Sequence, residues 1–360
     1  MPERLEPGTI PVRDGEQMDW SKAVAWLRER RSVVPQGPVN VSQFPSGASN
    51  LTYLLRVGEW EGVLRRAPLG PVAPKAHDMV REAGLLRRLH PHFPLAPRLL
   101  ALCDDPAVIG APFHVMEYRR GIVIDAKLPP GAEPTEALGR RISEGVIDTL
   151  VRLHAVDYEA AGLDEFGHPE GFLKRQLEGW SGRYRRAATG EIPEVEPLLA
   201  SLAERLPASP PATVVHNDFK LNNLLLDPSD LGRVVGVLDW EMATVGDPLF
   251  DLGVSLGYWI QADDPPQLQG LLPSVTTLPG FYTRDELMAR YAERSGRDLT
   301  TMDWYLRFAY FKLAVILQQI YARWVKGQTK DPRFGNFGQA VRLLIGHAHG
   351  LSARGIRTAP

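Results

Sequence analysis

A chain of 360 residues is long enough for two packed domains and a sizeable core. With 44% hydrophobic and 23% charged residues it sits among ordinary globular proteins, outside the disordered and collagen-like classes. The 41 Lys and Arg nearly balance the 43 Asp and Glu, so no basic field calls for a nucleic-acid partner; the single cysteine, Cys103, excludes an internal disulfide and a Cys-rich zinc site.

Residues 1–17 are polar and Pro-rich, without the apolar core of a signal peptide, and read as a loose arm. No run approaches the ~20 apolar residues that span a bilayer, so the expectation is a cytoplasmic chain with no membrane partner. A helix is expected from Asp19, a candidate N-cap, through Ala23, Val24, Trp26 and Leu27. Strands are expected over 39–44, 51–57 and 63–66, separated by turns at 45–50 and 58–62. A helix over 75–90 and a strand over 109–118 complete a small α+β domain, placed at residues 1–117.

After a Gly- and Pro-rich connection at 121–134 the pattern turns helical. Leu138, Ile142, Val146, Leu150 and Leu153 keep one face apolar, and 172–186, 195–206, 284–295, 301–326 and 337–353 also read as helices. This second domain spans 118–360. One β-containing island, 214–240, interrupts it.

The island carries the chemistry. Residues 214–228 read Val-Val-His-Asn-Asp-Phe-Lys-Leu-Asn-Asn-Leu-Leu-Leu-Asp-Pro, and 234–241 read Val-Val-Gly-Val-Leu-Asp-Trp-Glu. Two short strands joined by the turn at 227–232 form a hairpin, with Asn223 entering its first strand and Asp239 leaving its second. One amide oxygen and one carboxylate at the mouth of a hairpin make a hard-oxygen pair suited to Mg²⁺. Asp218, in the loop before them, is placed to take a proton from a hydroxyl. The plainer alternative makes all three turn and cap residues, with His216 a hydrogen-bonded structural histidine, Lys220 a solvated lysine and Asp251 a cap for a helix starting at Leu252.

His216-x-Asp218-x4-Asn223 followed by Asp239 is the catalytic-loop and metal-aspartate pattern of protein-kinase-like folds. The form HNDFKLNNLLLD…VLDWEMATVGDPLFDLG resembles the aminoglycoside phosphotransferase family of antibiotic and metabolite kinases. Within it the sequence is most similar to kinase modules associated with acyl-CoA dehydrogenases, through LHAVDY…GLDEFGHPEGFLKRQLEGW at 153–180. The resemblance runs from about residue 39 to 350 and implies an α+β fold of two lobes, small and β-rich then larger and helical.

It also implies roles. Asp218 would be the base, Asn223 and Asp239 the magnesium ligands, His216 a brace, Asp251 the holder of the catalytic loop, and Lys220 a γ-phosphate contact. ATP and Mg²⁺ would be the cofactors, and a hydroxyl on a small molecule the acceptor. Arg65 would grip the α and β phosphates in place of the usual lysine, paired with Glu82, with Arg66 next door as the alternative. Gly47, Ser49 and Asn50 would form the phosphate loop, which has one glycine rather than G-x-G-x-x-G, and the hinge at 116–118, with Glu117 and Tyr118, would contact adenine by its backbone groups. From Leu252 onward 13 Lys and Arg stand against 8 Asp and Glu, with Arg323, Lys326, Lys330 and Arg333 clustered, which favours an anionic or neutral acceptor over a cationic antibiotic. A nucleotide-binding module without transfer and a metal-dependent hydrolase are the competing classes. The second lacks the clustered His and carboxylate ligands it would need.

Overall fold

The computed structural model describes residues 8–31, 33–45, 50–69, 78–329 and 331–351. Gly47, Ser49, Lys330, the first seven residues of the arm and residues 75–77 of the expected second helix lie outside them. The chain divides into two compact units, one running through Arg120 and including Gly236–Glu241, the other made of Gly121–Val235 and the residues from Met242. The break thus follows Arg120 rather than residue 117. A single cut does not anticipate the return of 236–241 to the first unit.

In the first unit, helix α1 (Trp20–Arg30) is followed by strands β1 (Asn40–Gln43), β2 (Leu51–Val57) and β3 (Trp60–Arg66), helix α2 (Met79–Leu89), then β4 (Leu99–Cys103) and β5 (Phe113–Met116). The strands form one antiparallel sheet in the order β1-β2-β3-β5-β4. Asp19 caps α1 by accepting the Lys22 N–H, as its position before the apolar spacing predicts. Ala23, Val24 and Leu27, one turn apart, bury against the face carrying Tyr53, Leu55, Leu64 and Val115. Val57 pairs directly with Trp60, so the expected turn of 58–62 contracts to two residues, and Gly58 at φ +57° supplies the left-handed backbone that such a turn needs.

One expectation fails here, and one strand goes unread. Residues 8–17 are not loose: Ile10 and Gln43 exchange backbone hydrogen bonds of 2.8 Å each, and the Gln43 side chain accepts from Arg13 N at 3.0 Å. The arm covers the outer edge of β1, which would otherwise expose unpaired backbone groups. β4 was also unread, because Leu-Leu-Ala-Leu-Cys shows no alternation to mark it as a strand. The segment 236–241 is fastened by Val237 N donating to Leu95 O at 2.8 Å and by buried Trp240, edge-on to Phe93.

The second unit is mostly helical. α3 (Glu136–His154), α4 (Phe172–Ala187) and α5 (Val195–Glu204) precede β6 (Thr213–Val215), β7 (Leu224–Asp227), β8 (Asp230–Val237, whose last two residues fall in the first unit) and β9 (Thr244–Gly246). α6 (Pro248–Tyr258), α7 (Pro266–Leu271), α8 (Arg284–Ser295), α9 (Met302–Val325) and α10 (Phe337–Leu351) follow. β6 pairs with β9, and β7 with β8, the expected hairpin. α9 is the central helix, its middle buried almost all round, and Tyr305, Phe308 and Tyr310 on it are core residues, as is Trp259. Among the described residues no helix is long and apolar enough to cross a membrane.

α6 settles the position of Asp251. It begins at Pro248, with Asp247 as N-cap accepting from Leu249 N at 2.8 Å. Asp251 therefore lies inside the first turn and caps nothing, contrary to the helix start read at Leu252. Gly253 faces α9, where a Cβ would lie 2.8 Å from that of Tyr305 and 3.0 Å from its carbonyl oxygen. The missing side chain lets the two helices approach closely, which fixes what α6 and α9 can present to the loop after β6.

Candidate active site

The loop after β6 carries His216, Asn217, Asp218 and Lys220. Asp251, fully buried, holds it: Oδ2 accepts from His216 N at 2.6 Å and Oδ1 from Asn217 N at 2.8 Å. Oδ2 also meets His154 Nε2 at 3.2 Å, while His154 Nδ1 lies 2.7 Å from the Tyr291 hydroxyl. A neutral imidazole satisfies both neighbours if Nε2 carries the proton and Nδ1 accepts from tyrosine. Burial would raise the Asp251 pKa, but the hydrogen bonds it accepts, from His154 first and then from the His216 backbone N–H, bring it below the usual value, so it is a carboxylate at neutral pH. His216 is itself buried, with Nδ1 accepting from Asp218 N at 3.3 Å. It braces the loop by geometry.

Asp218 follows Asn217, whose φ of +64° is left-handed and is tolerated by asparagine better than by most residues. The Asp218 carboxylate stays partly open. Oδ2 receives Lys220 Nζ at 3.0 Å and Asn223 Nδ2 at 3.0 Å, and the same Asn223 nitrogen reaches Asp218 O at 2.9 Å. With its amide nitrogen committed to Asp218, Asn223 keeps Oδ1 as the atom able to face a cation. It stands at the end of a single 3-10 turn, Leu221–Asn223, that leads into β7. Lys220 Nζ also lies 4.8 Å over the Tyr258 ring, and burial, then the nearby Asp218 charge, push that phenol up to about 12.

The first unit holds a separate cluster on the face of the sheet opposite α1. Neighbouring residues on a strand point to opposite faces, so only one of Arg65 and Arg66 can reach α2. Arg65 does: Nη1 donates to Glu82 Oε1 at 2.9 Å, while Nη2 donates to Asp239 Oδ1 at 2.5 Å and Glu241 Oε2 at 3.2 Å. Arg66 instead donates to Ile109 O at 2.9 Å. Asn50 Nδ2 donates to Glu241 Oε2 at 2.6 Å, which ties the last residue of the expected phosphate loop to this cluster. Asp239 has φ +67°, a second left-handed non-glycine residue at a candidate site position.

One guanidinium here faces three carboxylates. Burial opposes the Arg65 charge, but Glu82, Asp239 and Glu241 together raise its pKa, so it stays protonated. Burial pushes Glu82 up to about 7, against the pull of Arg65. Among the described residues Arg65 Nε and Glu82 Oε2 are buried without a hydrogen-bond partner. Asp239 and Glu241 stay partly exposed beside the guanidinium, and Arg65 suits a phosphate anion. Breaking the pair from one side should be severe. Arg65→Met is expected to cost of order 3 kcal/mol in urea unfolding, and the double variant Arg65→Met/Glu82→Leu distinctly less, because the single change strands a buried carboxylate. Equal losses in both would contradict a buried pair.

Glu117 does not offer its side chain to a ligand. Oε1 accepts from Arg98 N at 2.9 Å and Arg119 Nε at 2.7 Å, and its backbone N–H donates to Arg98 O at 2.9 Å. The expected hinge contact of Glu117 thereby reduces to its carbonyl. Tyr118 lies beside Phe44, with the Arg120 guanidinium 5.2 Å over its ring.

The phosphotransferase enzyme family profile matches residues 40–324. The chain belongs to this family. It is 35% identical over 340 residues to acyl-CoA dehydrogenase family member 10 of Mus musculus, covering 94% of this chain and 31% of that protein, so the chain spans about a third of its relative's length. A candidate aminoglycoside phosphotransferase of Ralstonia eutropha has a solved structure with TM-score 0.80 at 30% identity, covering 95% of this chain and 100% of that one. A thermostable mutant of an aminoglycoside phosphotransferase, in ternary complex with AMP-PNP and hygromycin B, shares the fold at TM-score 0.59 and 17% identity, with 93% and 99% of the two chains covered. The fold is therefore α+β and kinase-like, as the catalytic-loop motif implied, and the acyl-CoA-dehydrogenase-associated branch is the one matched.

Some members of this phosphotransferase's two clusters escaped the sequence reading. Glu241, two residues after Asp239, has no role in that reading, and neither has His154, which falls in the LHAVDY stretch. Lys312 had a usable signal. It is a lone charge inside Phe-Ala-Tyr-Phe-Lys-Leu-Ala-Val-Ile-Leu, and a lysine there must be buried with a partner.

Proposed function

We propose that this phosphotransferase uses Mg²⁺ and ATP to phosphorylate a hydroxyl of a small anionic metabolite, with a hydroxyacyl-CoA as the first candidate. The observation that carries the reading is the Asp218 carboxylate, held open by a loop that Asp251 fastens from within, with Lys220 and Asn223 both on it. A carboxylate so placed can orient an acceptor hydroxyl and take its proton as the oxygen attacks phosphorus. Magnesium, when bound, would neutralise charge on the ATP phosphates. Asn223 Oδ1 and the Asp239 carboxylate are the oxygens assigned to it, with Glu241 as a nearby carboxylate. Arg65, kept charged by its three carboxylates, would hold phosphate oxygens, and Lys220 would meet the transferred group.

The acceptor class rests on two supports. The relatives at 31–35% identity that cover most of this chain bear acyl-CoA dehydrogenase names, and the residues from Leu252 carry an excess of Lys and Arg that suits an anion. An aminoglycoside acceptor is the second reading, favoured by the name of the Ralstonia eutropha neighbour. Incubating the protein with Mg·ATP and a panel of hydroxyacyl-CoAs and aminoglycosides separates them. Turnover of hydroxyacyl-CoAs is expected; turnover of the aminoglycosides alone would reverse the order. Thermal stabilisation by ATP that ignores Mg²⁺, with no transfer to any acceptor, would favour a binding module instead.

A further inference from the structure

We propose that Lys312 is a positioning residue for the catalytic loop, its ammonium clamping the Asn217 carbonyl and so fixing where the Asp218 carboxylate sits. Lys312 lies in the middle of α9 and is 3% exposed, with Nζ donating to Asn217 O at 2.6 Å. Asn217 is the left-handed residue directly before Asp218, and such a backbone persists only where its surroundings hold it. Three different elements do so. α6 takes its N–H through Asp251, the 3-10 turn ahead of β9 takes its side-chain amide through Met242 O at 2.9 Å, and α9 takes its carbonyl through Lys312. Removal of the last leaves the peptide between Asn217 and Asp218 free to turn, and the Asp218 side chain turns with it.

The charge of Lys312 has a second use. Nζ lies 5.6 Å from the Trp180 ring centre and 5.7 Å from that of Phe250, a mostly aromatic lining in which an ammonium is poorly solvated. The charged groups facing it are Asp218 and Lys220 from the loop, Asp251 from α6 and Arg183 from α4, with His154 and the His216 backbone hydrogen-bonded to Asp251. Burial pushes the ammonium down to about 8, with Asp218 and Asp251 opposing. Its folded value therefore lies below its unfolded one. Below pH 8 it is charged in both states, and as pH rises through about 8 the folded protein alone loses the proton and the positive charge beside the loop.

What the loop does rests on the phosphotransferase reading; how Lys312 holds it does not. Lys312→Met keeps the apolar stem of the side chain and removes donor and charge. Its kcat is expected to fall about 10–100-fold, with KM for ATP changed less than about threefold, the pattern of a misplaced reacting group. Hydrogen exchange of the peptide spanning 214–221 should accelerate about tenfold while peptides of α8 stay at wild-type rates. Wild-type kcat should decline as pH rises through about 8, and Lys312→Arg, charged throughout, should lack that decline. Unchanged loop exchange in Lys312→Met, or an alkaline decline shared by Lys312→Arg, overturns the proposal. Should Lys312→Met not fold, the exchange and pH profile of Lys312→Arg decide alone. If the wild type turns over no acceptor, the phosphotransfer reading has failed, and the exchange measurement still decides the positioning role.

Discussion

Asp218→Asn is expected to lower kcat by about a thousandfold while leaving the fold and ATP affinity nearly unchanged, within the range ascribed to a general base. The carboxylate that accepts from Lys220 and Asn223 at 3.0 Å each is partly exposed, and an asparagine of the same shape can still accept one of those bonds. What it loses is basicity and the charge that holds Lys220. The cluster of Arg65, Glu82, Asp239 and Glu241, which we propose meets ATP, is unaltered, so KM for ATP should stay within about threefold. Initial rates with a competent acceptor, alongside ATP titration followed by thermal shift, check both halves. A variant with kcat within tenfold of wild type would remove Asp218 from the chemistry.

Asp251→Ala is expected to be the most destabilising single change in the catalytic region, by roughly 4–5 kcal/mol. The wild-type carboxylate is completely buried and satisfies two backbone N–H groups, of His216 and Asn217, besides His154 Nε2. Alanine leaves all three buried without an acceptor, and water has little access to replace it. Asp251→Asn should cost nearly as much, because one of its two positions becomes an NH₂ facing an N–H. Urea unfolding at pH 7 measures the loss, and a change below about 1 kcal/mol would mean that the loop is fastened elsewhere. Because the Asp251 pKa lies below its ordinary value, its contribution is present at neutral pH and is lost only as pH falls through that depressed value.

Much of this is legible in the sequence, for a local reason. β2, the Asp19 cap of α1 and the hairpin of β7 and β8 are written in short windows where alternation, a capping residue or a turn cluster acts within a few positions. The catalytic-loop motif is legible in the same way. What stayed hidden depends on partners distant along the chain. Lys312 is 95 residues from Asn217, and Asp251 is 34 residues from the same loop residue. The choice between Arg65 and Arg66 needed strand parity relative to α2, which no pattern within β3 supplies. The start of α6 was misread because Asp247 and Asp251 both look like caps, and only the fold shows that Asp247 takes that role while Asp251 is left for the loop. The covered edge of β1 was missed because the N-terminal arm has the composition of an unstructured segment while Ile10 and Gln43 pair across it.

Phosphorus NMR of the purified protein with ATP and a hydroxyacyl-CoA, with and without Mg²⁺, tests phosphoryl transfer most directly. The expected result is ADP together with a new phosphate monoester resonance on the acceptor, dependent on Mg²⁺ and absent with Asp218→Asn. ATP left intact with every acceptor in the panel, or converted only to ADP and inorganic phosphate, would contradict it.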